Sequence, residues 1–170
     1  LENGGPGDLY HALGVNSACY MHWGRHRTEV ARQSVALDPD LIILSMGSNE
    51  AAGSNFNETV FYNEVDRFVS ALREANPGVS ILLTSPAQAF RRGTPNVNFK
   101  YVSNTRRRYA EDKGVAFLDI YAATGGDGSA HAWASHHLMG RDKIHYTPEG
   151  YRIQGILIYN ALYSGYVGYA

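Results

Sequence analysis

The sequence predicts an α/β protein in which a doubly wound parallel sheet is covered by helices on both faces. Short, continuously apolar runs alternate with longer amphipathic stretches, a pattern typical of strand–helix units on a parallel sheet. A strong helix start at Thr147-Pro148-Glu149 supplies a cap residue, a proline at the first helical position and an acid in the first turn. At 170 residues the chain is long enough for one domain with a core, so we expect residues 1–170 to form a single domain.

Four segments are predicted to be strands, one fewer than a five-stranded doubly wound sheet requires. Leu41–Met46 and Ser80–Thr84 are continuous apolar runs, as expected of strands buried on both faces. Tyr10–Leu13, which ends at Gly14, and Val115–Leu118 are shorter candidates. Because nothing before Tyr10 can supply a further strand, we expect the sheet to lack its first strand.

Helical spacing and breaker residues predict four main helices. They cover Glu29–Ala36, Glu58–Ala75, Asn98–Asp112 and a final stretch from Thr147 to about Ser164, with Gly165 as its stop. Gly125-Gly-Asp-Gly128 is predicted to be a plain turn, because it lacks the strand–loop–helix context and the lysine of a phosphate-binding loop.

The composition argues against several classes of function. A net charge of −1 gives no electrostatic footprint for nucleic acid, and no apolar stretch is long enough to span a membrane. The clusters Arg91-Arg92 and Arg106-Arg107-Arg108 are interpreted as solvated faces. His131, His136 and His137 match no established zinc spacing, so we predict no metal site and surface or sugar-contacting roles for them.

Polar residues that could take part in catalysis lie just after a predicted strand and just before the last predicted helix. Asp142 precedes His145 by three residues, so a turn can bring the carboxylate against the ring Nδ1 and leave Nε2 to face a nucleophile. The alternative is a local hydrogen bond that only shapes a loop. Asn49 carries a side-chain N–H that suits an oxyanion donor; the alternative is an ordinary loop residue that caps the turn at Glu50.

In their order along the chain, these segments resemble the blocks of the SGNH (GDSL-type) hydrolase superfamily, over essentially the whole length. Gly47-Ser48-Asn49-Glu50 resembles the third block, whose asparagine donates to the oxyanion, and Asp142-Lys143-Ile144-His145 resembles the fifth, which supplies acid and base. Leu13–Ala18 resembles the second block, with Ser17 in the place of the glycine whose backbone N–H donates. The resemblance implies a flavodoxin-like three-layer α/β/α fold.

The closer resemblance is to bacterial peptidoglycan O-acetylesterases and related carbohydrate esterases. Gly14-Val-Asn-Ser-Ala18 and Gly47-Ser-Asn-Glu-Ala51 follow their Gly-Val-Asn-Gly-Ala and Gly-Thr-Asn-Glu-Ala patterns. The first block, Gly-Asp-Ser with the nucleophile, has no match, since Gly7-Asp8-Leu9 has only its first two letters and Ser17 lies on a different block. The resemblance therefore implies that the chain is N-terminally truncated, that the nucleophile lies upstream, and that residues 1–170 alone are inactive.

What the family does in turn implies a role for seven residues. Asp142 and His145 are the catalytic acid and base, Asn49 and the Ser17 amide form the oxyanion hole, and Gly14, Asn16 and Glu50 contact substrate. The implied reaction removes an acetyl group from a carbohydrate, from peptidoglycan or from a small ester, without a cofactor, in the periplasm or outside the cell. The alternative is a catalytically inactive carbohydrate-binding module on the same scaffold. The sequence does not predict an oligomeric state.

Overall fold

A computed structural model describes residues 9–169 of the chain, and these residues form an α/β structure around a parallel sheet. The strands are β1 (Leu41–Leu44), β2 (Ser80–Thr84), β3 (Phe90–Arg91), β4 (Thr94–Pro95) and β5 (Ala116–Leu118). The helices are α1 (Tyr20–Arg25), α2 (Arg27–Val35), α3 (Ser48–Ala52), α4 (Glu58–Ala75), α5 (Asn98–Lys113), α6 (Ile120–Ala123), α7 (Ser129–Ser135) and α8 (Pro148–Tyr169).

The main sheet has the order β1-β2-β5, and both of its strand pairs are parallel. The central strand β2 is buried from Ile81 onward, which explains its continuous apolar sequence. The strand β1 lies at an edge of the described sheet, and Leu41 at its start is 37% exposed. The predicted burial of this strand on both faces is therefore wrong except at Leu44. The strand also ends at Leu44, two residues earlier than predicted.

Helices α4 and α5 pack against each other beside the sheet, and α1 and α2 pack against α4. The buried stripe of α4 recurs at helical spacing, with Phe61, Val65, Phe68 and Leu72 on one face. Tyr20 of α1 meets the rings of Phe61 and Phe68 edge-on, with centroids 5.8 and 6.0 Å apart. The apolar stripe of α4 thus joins the first two helices to the core.

Predicted elements with strong periodicity match the structure, and the weakly determined ones do not. The bounds of α4 and β2 are as predicted, and α2, α5 and β5 differ by one or two residues. The predicted strand Tyr10–Leu13 is wrong: the segment is irregular and both end residues are exposed, because none of the strands in residues 9–169 pairs with it. The predicted end of the last helix is also wrong, since α8 runs through Gly165 to Tyr169.

The elements that the sequence analysis missed are all short. Helices α1, α3, α6 and α7 contain four to seven residues. The strands β3 and β4 contain two residues each and pair as a hairpin. Such lengths cover less than two helical turns, so hydrophobic periodicity carries little signal for them. One of them, α3, nevertheless carries Asn49, and another, α1, begins three residues after Ser17.

Arg106 of α5 joins the carboxyl ends of two neighbouring strands from inside the core. Its side chain is fully buried, and its guanidinium donates to the Leu44 carbonyl at 3.1 Å, to the Thr84 carbonyl and to the Tyr20 hydroxyl. Within residues 9–169, Arg106 forms no ion pair with a carboxylate. The predicted solvated face is thus wrong for this arginine, because successive helical residues point about 100° apart and one of three must face the sheet.

We expect Arg106→Met to lower the free energy of unfolding by about 2–4 kcal/mol, because two strand-end carbonyls and a buried hydroxyl lose their donor. Chemical denaturation monitored by circular dichroism measures this loss. Arg108→Met is the matched control, since Arg108 is exposed on the same helix and rests on the Tyr62 ring. Equal losses in the two variants would contradict a role for Arg106 at the strand ends.

Candidate active site

The turn after β1 is shaped by a glycine that no other residue can replace without a clash. Gly47 has φ +105°, and a Cβ atom there would lie 2.8 Å from Cγ1 of Val102. The left-handed conformation turns the chain directly into α3, so Asn49 stands in the first turn of that helix. Asn49 therefore lies just beyond the carboxyl end of β1, the edge at which open parallel sheets bind ligands.

The structure brings Asn49 together with the segment that contains Ser17. The Asn49 Nδ2 atom donates to the Ala18 carbonyl at 2.9 Å, and Ser17 occupies a turn that the Ala18 N–H closes onto the Val15 carbonyl at 3.1 Å. An amide carries two N–H bonds, and the second one of Asn49 forms no hydrogen bond with residues 9–169. Over the same range the Ser17 backbone N–H is also without an acceptor. Two predicted oxyanion donors are thus linked through Ala18, each with an N–H to offer.

Ser17 adopts φ +60°, a left-handed conformation that glycine occupies more easily. We expect Ser17→Gly to raise the free energy of unfolding by up to about 1 kcal/mol, because relief of the left-handed strain exceeds the entropy cost of glycine. Ser54→Gly is the control, because Ser54 is exposed but is not among the residues with positive φ. Thermal unfolding of both variants measures the difference. A destabilised Ser17→Gly would show that the serine side chain has a structural role.

The three predicted substrate residues have different surroundings. Gly14 and Asn16 are exposed, and nothing lies within 4 Å of where a Cβ of Gly14 would be. Glu50 instead accepts the Tyr20 backbone N–H at 2.6 Å, which fixes the start of α1 to α3. Its second carboxylate oxygen is buried and accepts no hydrogen bond from residues 9–169. Contact of these residues with substrate stays a prediction, and Glu50 has in addition a structural role that its sequence position did not indicate.

Asp142 and His145 form a hydrogen-bonded pair within one turn. The Asp142 Oδ2 atom lies 2.7 Å from the ring Nδ1 of His145, and Oδ1 accepts the backbone N–H groups of Ile144 and His145 at 2.9 and 3.0 Å. With Nδ1 donating to the carboxylate, the other ring nitrogen, Nε2, is the basic one. The His145 side chain is 72% exposed, and Nε2 has no hydrogen bond to the described part of the chain, so it is open to a nucleophile.

The hydrogen bond from His145, followed by the two backbone hydrogen bonds, lowers the pKa of Asp142 from 3.8 to about 2. The pKa of Asp142 is lower in the folded state than in the unfolded chain. These bonds therefore contribute their full stabilisation at pH values above 3.8, and this stabilisation is lost as the pH falls through about 2. We expect the carboxyl carbon of Asp142 to titrate by NMR with a midpoint near 2. In His145→Ala the midpoint should rise part of the way towards 3.8. An unchanged midpoint would mean that the imidazole does not act on this carboxylate.

The loop that carries the pair is anchored to the segment after β2. The Lys143 carbonyl accepts the Phe90 backbone N–H of β3 at 3.0 Å, and the Tyr146 hydroxyl donates to the Gln88 carbonyl at 2.9 Å. A Cβ atom on Gly150, in the first turn of α8, would lie only 2.2 Å from the Leu138 carbonyl oxygen. Glycine at this position lets α8 start directly against the loop.

The same segment after β2 also holds the helix that bears Asn49. The buried side chain of Asn96 donates to the Ala51 carbonyl at the end of α3, at 2.7 Å, while its backbone N–H donates to the Ala89 carbonyl at 2.9 Å. One side of the segment therefore fixes α3 and the other fixes the loop of His145. The sequence analysis missed Asn96, since an isolated asparagine after a proline carries no distinguishing signal.

Cys19 and Ser17, the two potential nucleophiles that flank Ala18, are not activated. Burial, followed by the charge of Glu50, raises the pKa of the Cys19 thiol and so disfavours the reactive thiolate. The Ser17 hydroxyl forms no hydrogen bond with His145 or with any other described residue. The geometry thus provides a carboxylate–imidazole pair together with backbone and amide N–H donors, and none of the described residues forms a hydrogen bond with Nε2.

Two of the histidines that could have formed a metal site, His131 and His136, instead contact other residues of the fold. His136 Nδ1 lies 2.8 Å from the Ala132 carbonyl, and the ring of His131 meets that of Phe90 edge-on at 5.0 Å. Across residues 9–169 no group of three or more His, Cys, Asp or Glu side chains is arranged to hold a metal ion. No helix in that range is both long and apolar enough to cross a membrane.

Comparisons with known proteins place this geometry in a family context. Residues 1–153 match the model of the GDSL-like lipase/acylhydrolase family. A peptidoglycan O-acetylesterase structure superimposes with a TM-score of 0.80 at 25% sequence identity, covering 90% of this chain and 45% of that one. The chain thus spans less than half the length of that esterase. No curated protein sequence matches the chain significantly.

Two more distant structures share the fold. A GDSL-like lipase from Bacteroides thetaiotaomicron is 23% identical, with a TM-score of 0.65, and covers 88% of this chain and 73% of its own. An acetyl xylan esterase is 17% identical, with a TM-score of 0.67, and covers 88% of this chain and 78% of its own. At these identities the likeness extends to the fold alone, which confirms the predicted fold class.

Proposed function

The chain belongs to the GDSL-like lipase/acylhydrolase family, and on that premise we propose that it supplies the acid, the base and the oxyanion donors of a serine esterase that removes acetyl groups from carbohydrate. The observation that carries this proposal is the 2.7 Å contact between Asp142 and His145, which leaves Nε2 open in a loop held by the same segment after β2 that also holds the helix of Asn49. A local hydrogen bond that only shaped a loop would not require this placement.

The nucleophile in this mechanism is a serine N-terminal to Leu1, on a strand beside β1, along the side where none of the described strands lies. Its Oγ attacks the acetyl carbonyl carbon while Nε2 of His145 takes the hydroxyl proton. His145 then gives that proton to the departing sugar oxygen, which breaks the ester bond and leaves an acetyl-serine. A water molecule, deprotonated by His145, releases acetate and restores the serine. Asp142 stays ionised throughout and stabilises the imidazolium, and no step needs a cofactor.

The tetrahedral intermediate places a negative charge on the former carbonyl oxygen. The second N–H of the Asn49 amide and the backbone N–H of Ser17 are the proposed donors to it, each contributing about 2.7–4 kcal/mol as in other hydrolases. The link of both residues to Ala18 supports their joint action, because it fixes one donor relative to the other. Gly14, Asn16 and Glu50 are proposed to line the substrate side of this hole.

The acetylated carbohydrate is proposed from the similar structures, which include a peptidoglycan O-acetylesterase and an acetyl xylan esterase. Both of those proteins are named for acetyl esters of polysaccharides. Such polymers lie outside the cytoplasmic membrane, so we place the protein in the periplasm or outside the cell. Small acetyl esters would fit the same mechanism, because the chemistry involves only the acetyl group and the leaving oxygen.

We expect the full-length protein to hydrolyse p-nitrophenyl acetate and His145→Ala to lower kcat by about 10⁴-fold or more, because the serine loses its general base. A spectrophotometric assay of p-nitrophenol release measures the effect. His26→Ala is the matched control, since His26 is an exposed histidine between α1 and α2. Residues 1–170 alone should show no activity.

Two results would overturn the proposed function. Activity that persists in His145→Ala would remove this residue from the mechanism. A full-length protein with no Gly-Asp-Ser strand upstream, and with no hydrolysis of the acetate, would instead favour the carbohydrate-binding module. In that case, binding of xylo-oligosaccharides or peptidoglycan fragments would be the activity to measure.

A further inference from the structure

We propose that the surface beside Asp142 and His145 selects carbohydrates that carry carboxylate groups, so that the preferred substrate is an acetylated acidic glycan. This inference rests on the proposed function. It depends on a cationic rim, by which we mean Arg91, Arg92, Arg141 and Lys143. From the sequence alone, Arg91 and Arg92 are interpreted as a solvated face.

The fold joins the two halves of the rim through a contact between the hairpin and the loop of Asp142 and His145. Arg91 and Arg92 belong to the β3–β4 hairpin, and the neighbouring Phe90 donates its backbone N–H to the Lys143 carbonyl at 3.0 Å. The Nζ atom of Lys143 lies 5.2 Å from the centroid of the Phe90 ring. Arg141 and Lys143 flank Asp142 directly in the chain. The rim therefore occupies the loop of the catalytic pair and the hairpin that anchors it.

The charges of the rim are not neutralised by the surrounding protein. Residues 90–95 and 139–146 contain four cationic side chains and one carboxylate, in a chain whose net charge is −1. That carboxylate, Asp142, is already engaged with His145. No rim residue forms an ion pair within residues 9–169, whereas Arg32, Arg67 and four other Lys and Arg residues do. Three of the four rim side chains are exposed, and Arg91 is partly so.

The chemistry of these groups favours carboxylates repeated along a polymer. A guanidinium offers paired N–H donors that match the two oxygens of a carboxylate, and three of the four rim residues are arginines. A concentration of one sign of charge next to a reacting site raises the association rate of oppositely charged ligands, and salt screens the effect. The rim would thus act on kcat/KM for an acidic substrate and would leave the chemistry of the acetyl group unchanged.

The test compares two acetylated oligosaccharides of equal length with the full-length protein. O-acetylated oligogalacturonides carry a carboxylate on each sugar, and O-acetylated xylo-oligosaccharides carry none. We expect kcat/KM to favour the acidic substrate by about ten-fold or more at low ionic strength, and this preference to shrink in about 0.5 M NaCl. The ratio of the two kcat/KM values is the readout, because a general disturbance of the catalytic pair lowers both values together.

The variant Arg91→Gln/Arg92→Gln should bring the ratio close to one. It removes two of the four rim charges, and both of these lie outside the loop of Asp142 and His145. Arg108→Gln is the matched control and should keep the wild-type ratio. Arg108 is exposed near the C-terminal end of α5, whereas the β3–β4 hairpin precedes the N-terminal end of that helix. A wild-type ratio near one, or a ratio that the double variant leaves unchanged, would overturn the inference.

Failure of the proposed function gives a different result. A wild-type protein that hydrolyses neither oligosaccharide nor p-nitrophenyl acetate has no esterase activity, and the rim is then judged by calorimetric binding of the two unacetylated oligosaccharides. Salt-sensitive binding of oligogalacturonide, lost in Arg91→Gln/Arg92→Gln, would support the rim. Equal binding of both oligosaccharides, binding of neither, or preferential binding of a nucleic acid of equal charge would overturn it.

Discussion

The buried guanidinium of Arg106 is the contact on which the geometry of this protein depends. It donates to the last carbonyl of β1 and to the last carbonyl of β2, and so sets the relative positions of the points where two loops leave the sheet. The turn at Gly47 packs against the same group, since a Cβ there would lie 3.8 Å from the guanidinium carbon. Because a guanidinium is planar and donates in fixed directions, it constrains both strand ends at once. The helix that bears Asn49 starts from this constrained point.

Beyond the strand ends, polar contacts rather than apolar packing position the candidate site. Asn49 reaches the Ala18 carbonyl, Glu50 reaches the Tyr20 amide, and Asn96 reaches the Ala51 carbonyl. Each of these hydrogen bonds joins segments at least 30 residues apart in the chain. Directional bonds of this kind fix the orientation of a donor more closely than dispersion contacts do, which an oxyanion hole requires.

One loop carries both the Asp142–His145 pair and half of the cationic rim. Within the turn, three hydrogen bonds to Asp142 keep its carboxylate ionised and aligned with the imidazole. Around the turn, the cations of the loop and of the β3–β4 hairpin form no ion pair with residues 9–169. The negative charge is thus satisfied within the turn, whereas the positive charges are unpaired within the described part of the chain, and this imbalance is the basis of the proposed preference for an acidic substrate.

The sequence alone determined the features that depend on local spacing. The bounds of α4 and β2 follow from periodicity and from continuous burial, and the contact of Asp142 with His145 follows from a separation of three residues within a turn. The positive φ of Ser17 agrees with its place in a block that elsewhere has glycine.

Only the tertiary structure decided the features that join distant segments. The burial of Arg106 among three arginines, the link of Asn49 to Ala18 and the role of Asn96 have no periodic signal, because each depends on which residue of another element comes close. The segment Tyr10–Leu13 shows the same limit from the opposite side. A strand forms only when a neighbouring strand supplies its hydrogen bonds. The amino-acid sequence of a segment does not show whether such a neighbour is present.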